Sequence, residues 1–208
     1  KENLLVRENA TNQEEEMIKF LEEHEEFQGM TTVGTPMPNK HMLTVESARL
    51  NQEKHTKYRS IVGSLQYFAT QTRYDIAHAL SRLGQYTAAP TEAAWKCLMR
   101  VVAYLKGTPQ QSLKAVVRHA NKCAWDCYVD SDWAGNWDPT SAIHVPNMAK
   151  SRHGFFMMFA GMPVMWSLRL STSVALSSTE AECIGPLEAL REAMPLMHSL
   201  EELKQGGF

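Results

Sequence analysis

The stretch CYVDSDWAGNWD, Cys127 to Asp138, sets bare carboxylates at Asp130 and Asp132 on the end of an apolar and aromatic run that reads as a strand. A carboxylate at such a place is desolvated at a cost, paired with a cation, or holding a metal. Glu182, in "SSTEAECIG", is a second acidic position with chemical potential. It falls in the first turn of an expected helix that follows two further strands. A helix packed across the sheet brings its first turn beside the end of the first strand. Two carboxylates meeting there repel unless a divalent cation bridges them. Magnesium suits such a site, because it takes oxygen ligands, keeps waters and binds substrate phosphates. Asp130 alone would read as a strand-end cap; Glu182 is what gives the metal reading its weight.

The elements that must position these residues occupy the last third of the chain. "AWDCYVDS", "GFFMMFAG" and "PVMWSL" are short, β-rich and bounded by turns, and the last two, joined across "AGMP", read as a hairpin. "SSTEAECIGPLEALREAMPLMHSLEELK" then turns helical, with Ser178 or Thr179 as its cap. The order is β-β-β-α. "LKAVVRH", just upstream, is a strand that either joins this sheet or stands apart.

Before residue 110 the periodicity is helical. Residues 11–27 give a helix with Thr11 and Glu14 as a capping box and Met17, Phe20 and Leu21 as its apolar stripe. "QGMTTVGTPMPNK" follows as an extended linker. Three further helices are predicted over 55–72, 74–86 and 92–106. The last has Thr91 as N-cap, Trp95, Leu98, Val102 and Leu105 on one face, and Gly107 and Pro109 at its end. The division is therefore 1–39, a helical middle over 40–112, and an α/β part over 113–208.

Charge is unevenly spread along the 208 residues. Residues 1–39 hold three Lys/Arg and nine Asp/Glu, residues 40–122 hold thirteen and four, and residues 123–208 hold five and ten. A basic middle beside an acidic end suits a polyanion held by one part and metal-assisted chemistry in the other. Solvated helix faces pointing in different directions account for it equally well. No apolar run approaches the roughly 20 residues a membrane span needs. The N-terminus has no signal-peptide pattern, so an intracellular protein is expected, and without an initiator Met a fragment of something longer. His119, Cys123 and Cys127 have a zinc-like look but lack a second pair, and buried thiols are the plainer reading of the four cysteines.

"YVDSDWAG", "GFFMMFAGMPVMWS" and "ALSSTEAECIGPLEAL" resemble the ribonuclease H domain of copia-type retrotransposon Pol polyproteins. "KYRSIVGSLQYFATQTRYDIAHALSRL" and "PTEAAWKCLMRVVAYLKGTP" resemble the connection upstream of that domain, and "MTTVGTPM" the tail of the reverse-transcriptase thumb. The wording is nearest to elements of diatoms and other marine protists. The resemblance implies a ribonuclease H-like mixed sheet preceded by a helical connection, and incomplete at its C-terminal side. It implies Asp130 and Glu182 as catalytic metal ligands and Asp132 either as a supporting residue behind them or as a surface residue of the turn. Glu180 matches a motif position that is not a ligand. The reaction implied is hydrolysis of the RNA strand of an RNA–DNA hybrid with two Mg2+ (or Mn2+) ions roughly 4 Å apart. Implied partners are the hybrid and the reverse-transcriptase domain of the same polyprotein, in a cytoplasmic retroelement particle, with no membrane. Arg59, Lys96, Arg100 and Lys106 are the candidates for contacts with the nucleic-acid backbone.

The chain departs from that pattern in several places. Two further metal-site residues of the family would fall beyond Phe208. Glu201 and Glu202 cannot replace them, since a continuous helix puts them roughly 30 Å from Glu182. Asp126 lies about 13 Å back along the strand, while Asp138, past a turn, stays open. For the chain by itself this leaves weak binding of one metal without cleavage as an alternative to a working site, and an open sheet edge that invites a homodimer. Pro186 is expected to kink the helix or restart it, and Pro195 to break it again. "SLRLSTS" keeps only Arg169 where the family often has paired lysines. The alternative reading is a non-catalytic, truncated or domesticated copy that binds nucleic acid or associates with itself. Trp125 and Trp166 read as core, and Trp133 and Trp137 as either core or base-stacking. His153 and His198 have no evident partner in the sequence.

Overall fold

The computed structural model describes residues 7–11, 13–37, 43, 47–117, 124–135, 137 and 146–206. They form two compact units, one over Glu8–Ala115 and the other from Val116 onward together with Arg7.

The first unit is helical. Helix α1 spans Glu14–Glu22, α2 Gln52–Gln71, α3 Ala77–Leu83 and α4 Glu92–Gly107, with single 3-10 turns at Glu25–Phe27, Tyr74–Ile76 and Gly84–Tyr86. Met17, Phe20 and Phe27 join Tyr58, Leu65, Leu80, Leu98 and Leu105 in one core, as the 3.6-residue spacing of the apolar positions requires. Asn51 and Thr91 cap α2 and α4, accepting from the backbone N–H groups of Lys54 and Ala94. The capping box expected at Thr11 is absent. Thr11 ends strand β1, Arg7–Thr11, which pairs with β2, Leu113–Val117. The Gln13 side chain, next in line to cap, instead accepts from Thr72 Oγ1 at 2.7 Å. Arg73 is wholly buried. Its guanidinium meets Asp75 at 2.8 Å, donates to the Thr108 carbonyl at 2.9 Å and lies 5.6 Å from the Tyr104 ring.

The second unit is a three-stranded antiparallel sheet with one long helix. Strands β3 (Trp125–Asp132), β4 (Arg152–Phe159) and β5 (Met162–Leu170) run in the order β3-β4-β5. Strand β2 stays outside this sheet. Ala160 and Gly161, at φ 49° and 80°, make the two-residue turn between β4 and β5. Both values lie in the left-handed region that a type I′ hairpin turn needs. Pro163 is tolerated in β5 because β5 is an edge strand and a register shift falls beside it.

Helix α5, Ser178–Gln205, packs on β3 and β4. Its contact stripe is Ala181, Gly185, Ala189 and Ala193, one small residue every fourth position and all buried. Across from it lie Val129, Phe155, Met157 and Met165. Neither a restart at Pro186 nor the break expected at Pro195 occurs, because α5 runs through both prolines. Each proline removes one backbone hydrogen bond, but the buried stripe holds the turns on either side against the sheet. The cap is Ser177, one residue ahead of the expected pair. Its Oγ accepts from Glu180 N at 3.1 Å, and the Glu180 carboxylate accepts from Leu176 N at 2.7 Å.

Cys97 is buried, whereas Cys127 and Cys183 are exposed, against the expectation of buried thiols. His119 and Cys123 lie outside the described residues. Among the described residues no helix is long and apolar enough to cross a membrane.

Candidate functional site

Asp130 stands in β3 two residues before its end, paired across the ladder with Gly154. Asp130 is exposed, and its carboxylate makes no hydrogen bond or ion pair among the described residues. Glu182 stands in α5 one position past the buried Ala181, and it too is exposed.

Two contacts bracket these residues. The Trp133 indole donates to the Ala175 carbonyl at 3.0 Å, which ties the turn after β3 to the segment leading into α5. Farther along, a Cβ added at Gly185 would lie 2.5 Å from Ser131 Oγ and 3.2 Å from Val129 Cγ1. The strand segment 129–133 is thus fastened to both sides of the stretch that carries Glu182. Glu182 is three residues from Gly185, roughly 4.5 Å along the helix axis. The helix approaches the end of β3 at Gly185, in its second turn rather than its first.

The faces differ, however. Side chains alternate along a strand, and Val129 and Ser131 face α5. Asp130 therefore leaves β3 on the opposite face, together with Tyr128 and Asp132. Asp130 and Glu182 therefore do not face each other between strand and helix, and a cation held by both would need their side chains to meet outside that interface. Exposed carboxylates of this kind fit a magnesium ion that keeps several waters, which needs only one or two protein oxygens. They do not make a closed cage: among the described residues, no group of three or more His, Cys, Asp or Glu is placed to hold a metal.

The other expected residues fall into place around this pair or away from it. The Asp132 carboxylate folds over Gly135, where any Cβ would collide with it, so its packing is that of a turn residue. Glu180 is engaged at the helix start. Glu201 and Glu202 sit far down the continuous α5, and Asp138 is outside the described residues. Trp125 packs on Phe159 and Trp166 on Phe156, at centroid separations of 5.0 and 6.2 Å. Trp137 is exposed.

Of the four basic residues, all in the helical unit, two are already engaged. Arg100 donates to Thr35 Oγ1 at 2.9 Å, and Lys106 to the Phe27 carbonyl at 3.2 Å. Arg59 and Lys96 are exposed and make no such contact among the described residues.

Two residues with a bearing on the site were not singled out from the sequence. His153, for which no partner was evident, is buried and joined to Ser131 by a hydrogen bond of 2.9 Å between Nδ1 and Oγ. Gly185 is the other. The fourfold spacing of Ala181, Gly185, Ala189 and Ala193 was the available signal, since small residues so spaced let a helix approach a sheet closely. Burial holds His153 below the ordinary histidine range, with the nearby Glu188 carboxylate acting in the opposite direction.

The arrangement is that of a mixed α/β module with an acidic strand end, open to solvent. The chain is 38% identical over 150 residues to the retrovirus-related Pol polyprotein from transposon RE2 of Arabidopsis thaliana, a match covering 72% of the chain and 9% of that polyprotein. It is 29% identical over 208 residues to the Pol polyprotein from transposon TNT 1-94 of Nicotiana tabacum, covering 96% and 15%. Secreted RxLR effector protein 161 of Plasmopara viticola is 33% identical over 141 residues, covering 68% of the chain and 92% of that protein. No family model and no solved structure matches. The chain belongs to the family of copia-type retrotransposon Pol polyproteins. It spans 9% to 15% of the length of the polyproteins it matches.

Proposed function

We propose that the α/β unit is the ribonuclease H-like part of a retrotransposon Pol polyprotein, acting on the RNA strand of an RNA–DNA hybrid. One observation carries the reading. Strand segment 129–133 is fastened at Ala175 and at Gly185, so the exposed carboxylates of Asp130 and Glu182 flank a common contact. Asp130 and Glu182 hold the divalent cation. Glu180 and Ser177 fix the start of α5, and Trp133 pins the approach to it. When bound, magnesium supplies activation of water and stabilisation of the leaving oxygen. Arg59 and Lys96 contact the phosphodiester backbone of the hybrid, and contacts with 2′-hydroxyls select the RNA strand. The reverse-transcriptase part of the same polyprotein is the working partner.

The test is a labelled RNA–DNA hybrid incubated with the chain and Mg2+, beside Asp130→Asn. Cleavage by the parent and its loss by two or more orders of magnitude in the variant is the expected result, on the scale of removing an essential charged group. Cleavage unaffected by Asp130→Asn overturns the assignment. A second reading is favoured because, among the described residues, no group of three or more His, Cys, Asp or Glu is placed to hold a metal. It is a non-catalytic module, and salt-sensitive binding of the hybrid without cleavage would mark it.

A further inference from the structure

We infer that Ser131, His153 and Gly185 form a positioning device that sets how closely α5 seats on β3, and through it the separation of Glu182 from Asp130. The inference rests on the proposed pairing of those two carboxylates.

The geometry argues for it in three steps. First, β3 and α5 touch at Gly185, where there is no room for a side chain. An added Cβ would stand 2.5 Å from Ser131 Oγ, 3.2 Å from Val129 Cγ1 and 3.5 Å from His153 Nδ1. Second, Ser131 Oγ cannot simply swing aside, because it is bonded to His153 Nδ1 at 2.9 Å. His153 is itself only 7% exposed, cross-strand to Ser131, and its Nε2 has no hydrogen-bond partner among the described residues. A buried polar atom left unsatisfied has a cost, and here it accompanies a side chain whose other nitrogen holds Ser131 in place. Third, Ser131 is the neighbour of Asp130 in the strand, and Gly185 is one turn from Glu182 in the helix. Any change of spacing at this contact reaches both carboxylates directly. None of the three residues touches the reacting groups, so they act through the two carboxylates.

The test reads distance as well as activity. Cysteines are placed at 130 and 182 in the full chain, with the four natural cysteines replaced by serine, and are bridged with a short thiol-specific reagent. The parent is expected to cross-link within the chain. Gly185→Ala is expected to lose most of that cross-linking, and Ser131→Ala/Gly185→Ala to recover it, because the double variant removes the obstructing hydroxyl. Thermal unfolding of each variant accompanies the measurement, and the recovery in the double variant separates spacing from a failure to fold. In chains that retain Asp130 and Glu182, the same substitutions are expected to lower hybrid cleavage by roughly 10–100-fold and then restore it, the scale of an ångström misplacement. A folded Gly185→Ala chain that cross-links like the parent overturns the positioning role while leaving the nuclease reading intact. A parent that cross-links and responds at Gly185 but cleaves nothing overturns the nuclease reading alone. A parent that does not cross-link overturns both.

Discussion

At the scale of single residues, the chemistry of this chain depends on partners both near and far in sequence. Arg73 is an example. Its charge is buried, and Asp75, Thr108 and Tyr104 satisfy it from three directions. Removing one partner of a buried ion pair leaves the other uncompensated, at a cost of about 3–5 kcal/mol. Arg73→Met is expected to lower the stability of the helical unit by that amount, read from guanidinium chloride unfolding followed by helical circular dichroism. His153 makes a pH-dependent counterpart. Burial lowers its pKa from 6.5, so the unfolded chain binds its proton more readily than the folded one. Its neutral form packs against Ser131, with Glu188 on α5 opposing the shift and Arg169 opposite it in β5. Its contribution is therefore fully present above about pH 6.5 and falls as the pH drops below that value. His153→Asn is expected to flatten the acid limb of stability against pH, and an unchanged slope would show that other groups dominate. The types of Asp130 and Glu182 could be read from the sequence, and so could their place at a strand end and a helix start. The Ser131–His153 bond could not, because register across a ladder decides which residues face each other.

At the scale of elements, local signals served well where the chain decides its own conformation. Apolar spacing located α2, α3 and α4, and Thr91 caps α4 as its side chain predicts. The hairpin across Ala160-Gly161 was equally legible, although Ala is a poor residue for a left-handed φ. Such a conformation costs a non-glycine residue roughly 1–2 kcal/mol, less for Asn, whose side chain bonds locally. Ala160→Asn is expected to raise the stability of the sheet unit by about 0.5–1 kcal/mol, measured as a shift of its unfolding midpoint. Local signals misled at Thr11 and at Pro186. Thr11 has the pattern of a cap and lies in a strand, because pairing with β2 claims its backbone. Pro186 has the pattern of a helix break, and α5 passes through it, because four small residues seat that helix on the sheet.

At the scale of the whole molecule, the basic middle and acidic end fall largely in different units, since the units divide at Ala115/Val116. Within the α/β unit, β3 and β5 are the outer strands, and β3 presents an exposed Tyr128 beside an edge with no strand partner among the described residues. Unpaired edges of this length invite pairing with another chain, and an added lysine blunts them. The chain is expected to show a mass that rises with concentration in sedimentation, and Tyr128→Lys to reduce that rise. A concentration-independent monomer would remove self-association from the proposed properties.

The sequence by itself determined the family, the β-β-β-α order, most of the helices and the two carboxylates with chemical potential. These follow from residue type and short-range periodicity, which the chain carries at every position. Only the tertiary structure decided that β1 and β2 stand apart from the sheet, that α5 survives its prolines, and that Asp130 leaves β3 on the face away from the helix. Those outcomes depend on which surfaces meet and in what register. Such contacts join positions from about twenty to more than a hundred residues apart, where no local preference reaches.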